Sequence, residues 1–294
     1  MVMIGIYLAG FLLRGLRWHY MLLPIKDIRP RATTECVIVG YMANNIFPAR
    51  AGEVIRAVIL GSRESISKAS TLGTIAVERL FDGLVILGIL VLCSFFLGEG
   101  DARGGFLPPV IYLGTAIFGG ASIFVVFGYF QSGRIQKFVN SLSRHFPPRL
   151  GQKMNIVSRG VLESLGCLRF TRHLHFVVIL SILIWAVEGL VFWVGLIAFG
   201  LGTSLLTSYF ALALVNLAML IPSAPGGVGV FQQGNILAFS LFGISAERAF
   251  SYSVVVQGAM IVPITLLGLI ILSRYGLSIL KMGGRNWSPA LTPK

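Results

Sequence analysis

Asn44-Asn45-Ile46-Phe47-Pro48-Ala49-Arg50-Ala51-Gly52-Glu53-Val54-Ile55-Arg56 decides how this chain is read. It lies between two apolar runs and breaks their helical pattern with a proline and a glycine. It also sets two Asn, one Glu and two Arg where the flanking runs place hydrocarbon. Insertion scales charge roughly 2.5–3.5 kcal/mol for each such ion at a helix centre, so charge is seldom there without a use. A second stretch answers it downstream: Leu220-Ile221-Pro222-Ser223-Ala224-Pro225-Gly226-Gly227-Val228-Gly229. Both carry Pro-x-x-x-Gly after an apolar entry, Pro48 to Gly52 and Pro222 to Gly226.

The surrounding chain defines the class. Of 294 residues, 55% are apolar and 12% charged, and the mean hydropathy is +0.84. A soluble domain carries about 25% charged residues. That deficit, with apolar runs near span length, predicts an all-α integral membrane protein, a polytopic helical bundle. The runs lack the period-two alternation of a membrane β-barrel. The first run ends at Arg14 and Arg17 without a small-residue cleavage site and reads as a signal anchor. The net charge of +13 sits beside the apolar spans, so it reads as positive-inside topology rather than nucleic-acid binding. Cys36, Cys93 and Cys167 form no metal-type pair, and neither disulfide, metal nor other cofactor is expected.

Charge then sets the topology. Residues 14–31, 62–69, 131–173 and 274–294 are basic and are expected in the cytoplasm; 131–173 alone has eight Lys/Arg against one Glu. The chain between 14–31 and 62–69 must therefore cross an even number of times. Neither flank of the first break is a full span, so a re-entrant hairpin is expected, and the same parity makes the second break a hairpin from the outside. Segments 1–25, 33–61 and 70–98 then match 174–200, 204–243 and 249–273 in opposite orientation, an inverted repeat whose broken helices meet near the midplane. The expected organisation is one membrane domain over 1–273. Its halves, 1–98 and 174–273, are joined by a span at 106–130 and a basic amphipathic segment at 131–173. Ile135, Phe138, Val139 and Leu142 recur there at helical spacing, as in a helix lying on an anionic leaflet. Residues 274–294 form a tail.

The polar residues at the breaks are the candidate site. Asn45, Arg50, Glu53 and Arg56 from the first, with Pro222, Ser223, Gly226, Gly227 and Gly229 from the second, are expected to frame a cavity for an anionic lipid headgroup. Arginine offers phosphate a planar donor fork, and glycine backbone allows close approach. Glu53 and Arg56 stand i,i+3 on a helix and are expected to pair. Glu78, Arg79 and Asp82 read as a structural ion cluster, with an ion or proton relay as the alternative. Glu188 needs a partner from another helix, and Arg50 or Arg79 is the expected one. No histidine lies near Ser223 to make it a nucleophile, and no P-loop is present to drive transport with ATP.

Arg17-Trp18, "NNIFPARAGEVIRAVIL", "ERLFDGLVIL" and "IPSAPGGVGVFQQ", in that order, resemble the flippase-like membrane domain of lysylphosphatidylglycerol synthases and their stand-alone relatives. The resemblance covers almost the whole chain. It implies a protein of a bacterial or archaeal cell membrane, with its C-terminus cytoplasmic, that moves an anionic or isoprenoid-linked lipid between leaflets. Its implied partners are membrane lipids, a second copy of itself or a separate lipid-modifying enzyme. The alternative is an intramembrane enzyme or accessory subunit in lipid-linked glycan or aminoacyl-lipid metabolism. Because the soluble aminoacyl-transferase domain of the synthases is absent, the expectation is no enzymatic activity from this chain. Two departures stand out: relatives usually carry one more span before the Arg-Trp helix, and often an acid where this chain has Gln232 and Gln233.

Overall fold

The computed structural model describes residues 1–48, 51–96, 112–120, 132–143, 171–202, 204–219 and 224–274, with residues 109 and 155. The described residues are helical and contain no strand. The helices are α1 (Val2–Leu22), α2 (Pro30–Ile46), α3 (Ala51–Arg63), α4 (Lys68–Phe96), α5 (Ser132–Ser143), α6 (Thr171–Ala198), α7 (Leu205–Ala218), α8 (Val230–Ser240) and α9 (Ala246–Arg274). A 3-10 turn, Pro225–Gly227, precedes α8.

Length separates them into two kinds. Within α4, α6 and α9, the stretches Lys68–Phe96, His173–Ala198 and Ala246–Arg274 are long and apolar enough to cross a membrane. At 1.5 Å per residue the first and last are about 44 Å long, against about 30 Å of hydrocarbon. By the same rise α3, α7 and α8, with 13, 14 and 11 residues, reach only about 17–21 Å. The chain is a multi-pass membrane protein, and among the described residues the short pairs α2–α3 and α7–α8 each lie between two longer helices.

The long helices fix the direction of the rest. Tyr20 stacks on Phe176 with ring centroids 5.0 Å apart, Arg17 reaches Ser181, and Arg14 reaches Glu188. These rising and falling numbers make α1 and α6 antiparallel, packed along most of their length. At the end where α1 stops, the Lys26 ammonium contacts the Glu64 carboxylate at 2.9 Å, so the α1–α2 and α3–α4 connections lie together. At the other end Arg248 donates to the Gly200 carbonyl at 3.4 Å, which joins the α6–α7 and α8–α9 connections. The two short pairs therefore open from opposite ends. Their packing follows suit: α2 lies on α9 while α7 lies on α4, and α3 packs on α4 as α8 packs on α9.

Glycines set several of these approaches. A Cβ on Gly52 would stand 1.9 Å from the Gly40 carbonyl oxygen, so α2 and α3 cross backbone to backbone at that point. A Cβ on Gly15 would meet Thr34 Oγ1 at 1.9 Å where α1 crosses α2. In hydrocarbon the drive to bury apolar surface between helices is lost, so close van der Waals contact at small residues carries the association. Around these crossings sit two buried clusters. One is built chiefly on α1, α2 and α3 (Phe11, Trp18, Met42, Leu60), the other on α6, α7, α8 and α9 (Phe192, Phe210, Phe239, Tyr252).

One expectation changes. Arg14 and Arg17 are not loop charges: α1 runs through both to Leu22, and they are 4% and 0% exposed. Their acids come from α4 and α6, which is what makes charge tolerable there, and the basic connection shrinks to Lys26, Arg29 and Arg31 with Asp27. Of the expected span 106–130, residues 112–120 are helical and carry Phe118 against Gly83 of α4; most of the remainder lies outside the described residues. Part of the basic segment is α5, with Leu142 exposed. The tail, apart from Arg274, and Cys167 fall outside the description, whereas Cys36 and Cys93 are buried free thiols.

Candidate functional site

The charges in the helices collect into one buried network. Arg17 of α1 donates through Nη1 to Asp82 Oδ1 at 2.6 Å and through Nη2 to Asp82 Oδ2 at 3.2 Å. The same Nη2 lies 3.2 Å from Glu78 Oε1, and Nη1 also donates to Ser181 Oγ at 3.0 Å. Arg56 of α3 donates to Glu78 Oε1 at 3.1 Å, with its guanidinium carbon 4.8 Å from the Trp18 ring centroid. Trp18 is itself fixed by its indole N–H on Thr74 Oγ1 at 3.1 Å. Arg79 donates to Glu78 Oε1 at 2.6 Å and pairs with Asp82 Oδ2 at 3.1 Å. Trp185 Nε1 completes the Asp82 shell at 3.0 Å. Beside this set Arg14 pairs with Glu188 and donates through Nε to Tyr41 Oη at 3.1 Å.

The bookkeeping closes. Arg14, Arg17, Arg56 and Arg79 face Glu53, Glu78, Asp82 and Glu188, four cations and four anions. Removing one member of a buried pair costs about 3–5 kcal/mol because the other is left unpaired, which is why the set stands or falls together. Arginine does not release its proton in proteins, and Glu78 and Asp82 are each held by at least two guanidiniums. These ion pairs tie α1, α3 and α4 together through Glu78 and Asp82.

Two pairings differ from expectation. Arg56 turns inward to Glu78, 2% exposed, and Glu53 faces Arg79 instead, at 3.9 Å from Nε. Glu188 takes Arg14, a residue the sequence assigned to a loop, rather than Arg79; Arg50, the other expected partner, lies outside the described residues. In each case the chosen partner is on a helix that sequence spacing does not bring to mind.

The first break begins where Phe47 leaves α2 with extended backbone, φ −102° and ψ 145°, as a residue before proline prefers. Asn44 Oδ1 accepts the Gly52 amide at 2.8 Å, tying the end of α2 to the start of α3 across the break. Asn45 Nδ2 donates to Thr265 Oγ1 of α9 at 3.0 Å. At the second break Gly226, Gly227 and Gly229 take φ of +68°, +74° and +89°, backbone that favours glycine. Two glutamines hold this turn. Gln232 Oε1 accepts the Gly229 amide at 2.7 Å, Gln232 Nε2 donates to Gln257 Oε1 at 2.6 Å, and Gln257 Nε2 donates to the Gly226 carbonyl at 2.9 Å. The turn packs on α2, with a Cβ on Gly226 falling 3.9 Å from Asn45 Oδ1. Asn45 and Gly226 are thus neighbours, while Arg50, Pro222 and Ser223 lie outside the described residues.

Arg14, Arg17, Tyr41, Ser181, Trp185 and Gln257 belong to this site and sequence reading missed them as members. Only Arg14 and Arg17 carried a signal, two arginines three apart inside an otherwise apolar helix.

A profile of the lysylphosphatidylglycerol synthase TM region matches residues 1–268. The chain belongs to this family. Relatives include a glycosyltransferase AglD of Haloferax volcanii, 28% identical over 81% of this chain and 42% of its own length. This chain therefore spans less than half of that relative. A UPF0104 membrane protein of Methanothermobacter thermautotrophicus is 27% identical over 92% of this chain and 81% of its own length. Another, from Methanocaldococcus jannaschii, is 23% identical over 81% of this chain and 96% of its own length. No solved structure matches. The expectation of no enzymatic activity from this chain is overturned, because one of these relatives is named a glycosyltransferase.

Proposed function

We propose that this member of the family binds the phosphate of an anionic or isoprenoid-linked lipid at the break between α2 and α3, and passes that lipid between leaflets. The observation that carries the reading is the position of Arg79. Its side chain is 30% exposed while its Nη2 sits on two buried acids, so it joins the ion network to the surface beside Glu53 in the first turn of α3. A guanidinium with donors to spare is the chemistry that takes up a phosphate. Arg50, in the break itself, is the second candidate. The opposed short helix pairs support re-entrant hairpins, since neither pair offers two full spans and each returns to the end it left. Arg56 contributes by holding α3 to Glu78 rather than by meeting the lipid.

The glycosyltransferase-named relative favours lipid-linked glycan synthesis as the setting, with this domain presenting the lipid for sugar transfer or taking part in it. Mass spectrometry of lipids retained by the purified chain tests the reading. Enrichment of phosphate-bearing lipids over the bulk membrane, lost in Arg79→Lys at unchanged Tm, is the expected result. A retained set with the bulk composition contradicts it, and sugar-bearing species would fix the glycan setting.

A further inference from the structure

Around Arg79 the charge is balanced in an uneven way. Arg17, Arg56 and Arg79 share two close acids, Glu78 and Asp82, and that leaves one positive charge over. Glu53 supplies the missing anion, but loosely. Its Oε1 stands 3.9 Å from Arg79 Nε, beyond hydrogen-bond reach, and its side chain is 24% exposed. Arg79 Nε is buried and has no hydrogen-bond partner. Arg79 thus presents one unsatisfied donor toward a carboxylate that does not close on it. Every other acid of the network lies within 3.2 Å of a guanidinium.

We infer that Glu53 is a tethered competitor: its carboxylate balances Arg79 in the empty protein and is displaced when a phosphodiester monoanion takes the free Nε edge. This rests on the lipid-binding reading above and adds how the site is kept neutral and which anion it prefers. One surplus charge matches one negative charge. A phosphodiester, as in a phospholipid headgroup or in a sugar joined to an isoprenoid phosphate, leaves the network neutral once Glu53 turns out to water. A phosphomonoester, at nearly two negative charges near pH 7, overcompensates it. Glu53 is free to leave because it lies in the first turn of α3, whereas Arg56, one turn on, anchors that helix to Glu78.

The test is binding of two soluble probes, dihexanoyl-phosphatidylglycerol and a short isoprenyl phosphoglucose, to the full chain in detergent. Glu53→Gln keeps the shape and removes the competing charge. It is expected to tighten binding of whichever probe fits by about two- to fivefold, the range of a half-exposed ion pair. The gain should vanish at unchanged Tm in the Glu53→Gln/Arg79→Lys double variant, which keeps the positive charge beside Glu78 and Asp82 but loses the Nε donor, and the probe that shows the gain identifies the lipid class. An unchanged Tm in Glu53→Gln keeps the comparison clean; a lowered Tm with no tightening would make Glu53 structural and overturn the inference. So would unchanged or weaker binding. If the wild-type chain binds neither probe, the lipid-binding reading falls and takes this one with it. If wild type binds and Glu53→Gln gains nothing, only the competitor role falls.

Discussion

Arg17 of α1 closes both Nη groups on the Asp82 carboxylate of α4, at 2.6 and 3.2 Å, and no part of Arg17 is exposed. This pair ties the first long helix to the second. Arg17→Ala should cost about 3–5 kcal/mol by stranding Asp82, and the protein should accumulate poorly or lose Tm sharply. The Arg17→Leu/Asp82→Leu double variant should recover much of that loss, because replacing both partners leaves no orphan charge. Thermal unfolding in detergent reads both; a silent Arg17→Ala would show that water reaches the pair.

Gly52 and Gly5 make a matched contrast. Gly52→Ala forces a Cβ to 1.9 Å from the Gly40 carbonyl oxygen, so the α2–α3 crossing must open. A loss of about 1–3 kcal/mol is expected, as for overpacking. Gly5→Ala meets nothing within 4 Å and should be neutral or gain up to about 1 kcal/mol of helix propensity. Equal Tm values for the two variants would contradict the crossing.

The glutamine bridge makes a further prediction. Gln257→Leu removes the partner of both Gln232 Nε2 and the Gly226 carbonyl. Leaving such groups buried and unpaired costs about 1–3 kcal/mol. Because the bridge is neutral, its contribution should not change between pH 5 and 8; a pH-dependent difference in Tm between Gln257→Leu and wild type would argue against it.

Topology gives a prediction independent of stability. Ser65 lies in the α3–α4 connection, beside Lys26 through Glu64. With Cys36, Cys93 and Cys167 removed, Ser65→Cys should label from the cytoplasmic side only, as should a cysteine at 26. Labels on opposite faces would break the hairpin reading of α2 and α3.

Much of the architecture was legible in the chain. The apolar runs fixed the helical membrane class, and the proline and glycine breaks marked where short helices part. The Pro48–Gly52 break read as a turn signal, yet the structure uses Gly52 first as a crossing point against Gly40. The ion network was legible only in part, because its bonds join residues 65, 164 and 174 positions apart. Local spacing suggested Glu53 with Arg56 and pointed Arg14 and Arg17 to a loop. Tertiary packing chose otherwise, since an arginine inside hydrocarbon is stable only where another helix brings its acid.

The most direct measurement of the lipid-passage claim is transbilayer movement of fluorescent phosphatidylglycerol in proteoliposomes, beside a zwitterionic control lipid. Wild-type protein should move the anionic probe faster than protein-free vesicles do. Arg50→Ala and Arg79→Lys, at wild-type Tm and reconstitution yield, should each lose most of that rate. Movement by both variants at the wild-type rate, or no movement by wild type, would contradict passage of an anionic lipid at the α2–α3 break.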